Sequence, residues 1–176
     1  MSSSSQLAQC PLFSSLPPRI VDGLAPYFSV ETLEPGQTLF VRGDPVDTLV
    51  VVHTGSVQLS RTGRSDRTLG PGGFLGVASL LEPGLHPCNV TALRETTISR
   101  LDRKGLDQIW RDAPAIAAFF PLALANRLIT LLRMANERLV NLCELPLDQL
   151  DHQGLRQALQ VVDDVLDDHA QPAISD

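Results

Sequence analysis

Between Val30 and Asp102 the apolar positions come in short runs rich in Val, Thr and Leu, and glycine or proline separates one run from the next. The runs are Val30–Leu33, Thr38–Val41, Thr48–His53, Ser56–Arg61, Arg67–Leu69, Asn89–Ala92 and Thr96–Asp102. Breakers fall at Pro35-Gly36, Gly43-Asp44-Pro45, Gly55, Gly63, Pro71-Gly72-Gly73 and Pro83-Gly84. Strands recurring every roughly 8–12 residues between turn signals predict an all-β sandwich or barrel. Gly36, Gly43 and Gly55 fall where such turns require positive φ.

The flanks read differently. Residues 1–9 are Ser-rich and are expected to be a disordered tail. Pro11–Phe28 reads as short helical turns, with Pro17-Pro18 at a helix start and Ile20, Val21 and Leu24 at helical spacing. After Leu101, Asp102–Trp110 predicts a short helix capped by Asp102. Asp112-Ala113-Pro114 then reads as an N-cap and early-helix proline opening a long helix to about Cys143. Along it Leu128, Leu132, Ala135, Leu139 and Leu142 are spaced 4, 3, 4 and 3, a heptad-type seam that predicts dimerisation. Pro146 ends that helix, and a second, amphipathic one is expected over 147–169, acidic on its outer face, before a tail at 170–176. The expected division is therefore tail 1–9, β-domain 10–111, long helix 112–145, acidic helix 147–169 and tail 170–176.

Charge and composition narrow the function classes. The 176 residues are 43% hydrophobic and 19% charged, which is globular composition. The net charge is −6 and the chain has a single lysine, Lys104, so the clustered cations that neutralise phosphates are missing and no nucleic-acid partner is expected. The most apolar stretch, Ala113–Leu132, is interrupted by Pro114, Pro121, Asn126 and Arg127, so no membrane span is expected either. With no signal peptide visible, the expected location is the cytoplasm. Cys10, Cys88 and Cys143 are odd in number and widely separated, and read as buried thiols.

The order of motifs resembles the cyclic-nucleotide-binding domain of the catabolite-activator and fumarate–nitrate-regulator (CRP/FNR) superfamily. The resemblance runs from about Pro11 to Leu142. It is carried by Pro11-Leu12-Phe13, Leu24-Ala25-Pro26-Tyr27, the stretch from Pro35-Gly36 through Gly43-Asp44-Pro45, Gly55-Ser56-Val57, Gly70-Pro71-Gly72-Gly73-Phe74-Leu75-Gly76 and Asn126-Arg127-Leu128. It implies a mainly β fold with flanking helices: an eight-stranded β-roll of jelly-roll type, then a long dimerisation helix and here a short C-terminal helix. It also implies a phosphate-binding turn and helix, with a Glu for the ribose and an Arg for the cyclic phosphate. The turn and helix match Phe74-Leu75-Gly76-Val77-Ala78-Ser79-Leu80-Leu81, where the acidic position is Val77. Counting back from Val90-Thr91-Ala92 puts the arginine position at His86.

Both charged anchors are thus expected to be absent. Charge-assisted hydrogen bonds contribute about 1.5–3 kcal/mol each, so losing two removes on the order of 3–6 kcal/mol. That is roughly a hundredfold to ten-thousandfold in affinity. The candidate pocket is Phe74, Leu75, Gly76, Val77, Ala78, Leu85, His86, Pro87 and Cys88, and no cofactor or metal is expected in it. His53 has no second ligand at metal-binding spacing, and His86 with Cys88 is too few. Ser79, His53 and Asp66 are not set in a nucleophile motif, and Arg61, Arg64 and Arg67 read as a solvated hairpin tip. Superfamily regulators continue into a basic helix-turn-helix, whereas the acidic residues after Pro146 are expected not to read DNA. The expectation is a non-enzymatic regulatory or adaptor protein without cyclic AMP or GMP binding. It would form a homodimer, or a heterodimer with a related regulator, and contact another protein through its acidic helix. The alternative is a sensor whose pocket takes an apolar or carboxylate effector, or a cyclic nucleotide in another mode.

Overall fold

The computed structural model describes residues 3–63, 65–77, 80 and 84–143. Short helices α1 (Ser3–Ala8) and α2 (Pro18–Leu24) and a 3-10 turn (Ala25–Tyr27) precede the strands. These are β1 (Ser29–Leu33), β2 (Thr38–Phe40), β3 (Pro45–Val46), β4 (Thr48–Thr54), β5 (Val57–Ser60), β6 (Arg67–Leu69), β7 (Phe74–Leu75), β8 (Gly84–Leu85), β9 (Asn89–Ala92) and β10 (Thr96–Asp102). Helices α3 (Arg103–Asp112), α4 (Pro114–Ala117) and α5 (Phe119–Cys143) follow. Two four-stranded sheets, ordered β1-β10-β4-β7 and β2-β9-β5-β6, carry a small β3–β8 ribbon at one end. Every pairing is antiparallel. This is the jelly roll that the strand rhythm and the resemblance implied.

Strand alternation creates two cores from one sheet. Val50, Val52, Leu75 and Ile98 face the second sheet, where they meet Val57, Leu69, Val90 and Ala92. Leu49, Val51, Phe74 and Leu101 face the opposite way, onto Leu7, Leu24, Leu106, Ile109, Phe120 and Leu124 of the flanking helices and Phe13 of the turn between α1 and α2. Phe74 and Leu75 are adjacent in β7, so this two-residue strand contributes one side chain to each core. The inner core is built from strands alone and the outer core from helices laid on the first sheet.

Several local expectations change. Residues 1–9 do not form a disordered tail as a whole: α1 starts at Ser3, and Leu7 and Cys10 are fully buried. Two apolar side chains three residues apart, Leu7 and Cys10, outweigh the serines that precede them. Asp102 caps α3 as expected, its Oδ1 accepting from the Gly105 N–H at 2.7 Å. Asp112, by contrast, is the last residue of α3, and the N-cap of α4 is Ala113 with no side-chain bond. The long helix is interrupted after Ala117 and restarts at Phe119.

Neither proline breaks the apolar stretch as expected, because Pro114 and Pro121 occupy first turns, where the missing N–H has no helical partner to lose. By length and composition Pro114–Met134 could therefore cross a bilayer. Here Ala117, Phe120, Ala123 and Leu124 are buried in the helix-side core. Ala78, Cys143's side chain, the acidic segment 147–169 and the tail 170–176 lie outside the described residues.

Candidate functional site

At the β3–β8 end of the roll, alternation carries polar side chains inward. Arg100 sits across from Val50 in the β10–β4 register and shares the inner face with Ile98, two residues away. Thr48 continues that face of β4 beyond Val50. From the other side come Phe40 of β2 and His86, whose backbone is fixed by two bonds. The Gly43 N–H donates to the His86 carbonyl and the His86 N–H to the Asp44 carbonyl, both at 2.9 Å. Together they enclose a cleft of about 380 Å³, whose walls include Phe40, Asp44, Asp47, Thr48, His86 and Arg100.

The aromatic pair is the wall's fixed feature. The His86 ring stacks on Phe40 with centroids 3.8 Å apart and planes at 23°. Arg100 stands over the same phenyl ring, 5.8 Å from its centroid. Burial lowers the His86 pKa below its ordinary value; Asp44 pulls it back up and Arg100 pushes it further down. His86 is therefore a neutral ring at pH 7, lying between an acid and a base. Arg100 is tied through Nη2 to Glu31 Oε1 at 2.7 Å. Its Nε is buried and has no hydrogen-bond partner among the described residues.

The expected pocket does not come together as one surface. Leu75 and Cys88 pack on the inner core, whereas Phe74 and Val77 belong to the helix-side core. Gly76 turns the chain between them at φ +80°, and a Cβ there would overlap the Thr48 carbonyl oxygen at 1.9 Å. The Leu80 N–H donates to the Gly76 carbonyl, closing one helical turn. Leu85 is 66% exposed and Pro87 is exposed, so neither lines an enclosed pocket. Of the eight expected residues that are described, His86 alone lines the cleft, and Ala78 lies outside the described residues. The reason is β7: a Phe-Leu pair read as a turn is a strand, and its alternation sends neighbouring side chains to opposite cores. Phe40, Asp44 and Arg100 were not foreseen. The available signal was an arginine at the same strand parity as Ile98.

The remaining candidates resolve individually. His53 is the unpaired residue of a β-bulge opposite Thr97/Ile98, and its Nε2 lies 2.5 Å from Ser99 Oγ. Its Nδ1 has no partner among the described residues, and burial lowers its pKa. Asp66 accepts from Gln58 instead of approaching His53. Arg94, at the far end of β9 from His86, donates from Nε to Ser56 Oγ at 2.8 Å. Arg61 and Arg67 stand at the two ends of the β5–β6 connection, both half-buried, with Arg61 Nε donating to the Pro87 carbonyl, and Arg64 lies outside the described residues. Burial pushes the Cys10 thiol up to about 12, which leaves it a core residue without thiolate chemistry. Among the described residues no three His, Cys, Asp or Glu side chains group as metal ligands.

Arg127 reaches from α5 over the Phe74 ring at 5.4 Å, tying the long helix to the cassette strand. Of the expected dimer stripe, Leu132 and Leu139 are exposed, and the side chains of Leu128, Ala135 and Leu142 lie outside those described. Leu122, Ile129 and Val140 add to the exposed apolar surface of α5. Leu122 and Ile129, like Leu132 and Leu139, are seven residues apart.

Comparisons with known proteins agree with the fold. Residues 30–113 match the family model for the cyclic nucleotide-binding domain. A cyclic AMP receptor protein from Thermus thermophilus is 35% identical over 123 residues, which is 67% of this chain and 57% of that protein. A CRP-like cAMP-activated global transcriptional regulator from Mycobacterium tuberculosis is 27% identical over 141 residues, 77% of this chain and 61% of that one. The match thus spans less than two thirds of these curated relatives. Among solved structures, the N-terminal domain of a transcriptional regulator from Streptomyces coelicolor is 33% identical with a TM-score of 0.64, and the match covers 78% of this chain and 94% of that one.

Proposed function

Because this chain belongs to the CRP/FNR superfamily of cyclic nucleotide-binding domains, we propose that it is a non-enzymatic regulatory domain that has given up the family's cyclic-phosphate grip. The observation that carries this reading is His86. It stands at the sequence position where the resemblance places the phosphate-binding arginine, and it is a buried ring stacked on Phe40 and shifted toward its neutral form. Val77, at the position of the ribose-binding acid, is a buried member of the helix-side core. A phosphodiester entering here would find neither fixed counter-charge nor ribose acceptor at those two positions.

The output is protein contact. The exposed apolar residues of α5 recur at seven-residue intervals, which suits a second copy packed as a helix pair. The acidic segment 147–169 supplies the contact to another protein. Isothermal titration of the whole chain with cyclic AMP, cyclic GMP and cyclic di-GMP tests the central step. No heat of binding is expected in the micromolar range, and a micromolar dissociation constant for any of them would overturn it. A second reading, a sensor with a changed ligand, is favoured by the polar cleft beside His86.

A further inference from the structure

Around the Phe40–His86 stack, charges of both signs face one space. The guanidinium of Arg100 is held on one side by Glu31 at 2.7 Å, and its buried Nε–H has no acceptor among the described residues. Since Nη2 is already anchored on Glu31, the guanidinium that borders the cleft is held in place before any ligand arrives. Two carboxylates belong to the same walls. Asp47 receives the Thr48 hydroxyl at 3.0 Å, while Asp44 acts electrostatically on His86 against Arg100.

We propose that the cleft bounded by Phe40, Asp44, Asp47, His86 and Arg100 is a ligand site for a small zwitterion of the amino-acid class, its carboxylate on the Arg100 guanidinium and its ammonium on Asp44. This rests on the reading that the cyclic-phosphate grip is lost, and adds the class of ligand that replaces it. Charge decides the class. The walls carry two carboxylates and one guanidinium, and that guanidinium is partly neutralised by Glu31. A phosphodiester adds a negative charge to this set and is repelled, whereas a zwitterion adds none and satisfies both signs locally. The volume of about 380 Å³ lies toward the small end of the usual roughly 300–1,000 Å³ range of ligand sites. The stacked rings supply an apolar wall for a side chain.

The test uses the whole chain, first by thermal shift and then by titration, with each proteinogenic L-amino acid as probe. The tightest binder is re-measured as its amide, which lacks the carboxylate, and as its N-acetyl derivative, which lacks the ammonium. At least one amino acid binds with a dissociation constant below about 10 mM, and each derivative binds at least about tenfold more weakly. Asp44→Asn, at an exposed position, and Arg100→Lys, which keeps a charge for Glu31 but deletes the guanidinium fork, each weaken binding by a similar factor. Failure of every amino acid, or binding that survives loss of either charged group, overturns the proposal. Cyclic AMP titrated into the same samples separates the two readings. Micromolar cyclic AMP binding sinks the loss of the phosphate grip, whereas silence toward both classes leaves that loss standing and removes only the zwitterion site.

Discussion

The first sheet presents two faces, and each buries one histidine. On the helix-covered side His53 sits in a bulge among Leu49, Val51 and the flanking helices, with Ser99 as its polar contact. On the side toward the second sheet His86 ends an otherwise apolar core, and there Asp44, Arg100 and a cleft surround it. Both rings are about 8% exposed. Equal burial therefore does not mean equal role. His53 has the Ser99 contact and no charged group acting on it, as a structural residue does. His86 has fixed charges of both signs and an opening, as a recognition residue does.

The largest effect that sharpens this contrast comes from the two neighbours in β7. Phe74 is 1% exposed, belongs to the helix-side core and carries the Arg127 side chain of α5 on its ring. Phe74→Ala should cost about 3–5 kcal/mol in urea unfolding and loosen α5 from the roll. Leu75→Ala, in the inner core beside it, should cost less, toward the low end of the roughly 2–5 kcal/mol range for such truncations, because the side chain removed is smaller and, at 8% exposure, less completely buried. Equal losses, with hydrogen exchange on α5 unchanged in Phe74→Ala, would mean that the two cores are not separate units.

Acid separates the two histidines next. Burial holds both pKa values below the ordinary 6.5, so the folded state resists a proton that the unfolded chain accepts. Their contribution is therefore complete above pH 6.5 and is lost as pH falls from there toward the folded-state values. Below those values both states are protonated and the loss levels off. Urea midpoints measured at pH 7.5 and at pH 5.5 should show the decline. His53→Gln should remove more of it than His86→Gln, since Asp44 partly offsets burial at His86 and no charged group does so at His53. The readout is the difference between the two pH values, which lost packing alone does not alter.

How much of this was legible in the sequence follows from what each signal encodes. The seven longer strands were readable because β-rich runs of three to seven residues, closed by glycine or proline and recurring at short spacing, have few other solutions. Gly36, Gly43 and Gly55 do take positive φ, as their turn contexts demanded. The two-residue strands β3, β7 and β8 were not readable: two residues carry no period, and their existence depends on β4 or on each other. The site suffered most from this. Without β7, Phe74, Leu75 and Val77 looked like one pocket wall, and only pairing with β4 sends them to two cores. His86 was found through its alignment with a family position. Arg100 was visible only as strand parity, because the cleft it faces is made by a ribbon far away in the chain.

The smallest effect concerns the Arg100–Glu31 pair, and it decides whether the inner face's polar end serves the fold or the cleft. The two side chains are 32% and 41% exposed and meet at 2.7 Å. Water screens a pair this open, so Glu31→Gln should lower stability by less than about 1 kcal/mol, and the loss should shrink further in high salt. The geometry at the cleft changes more than the stability does. Freed from Glu31, Nη2 becomes a further donor for a carboxylate in the cleft. Glu31→Gln should therefore leave the urea midpoint almost unmoved while making carboxylate binding at Arg100 no weaker, and tighter if the second donor engages. A loss well above 1 kcal/mol would place Arg100 among the residues that hold the roll together, and the inner face would then be structural to its end, like the helix-covered one.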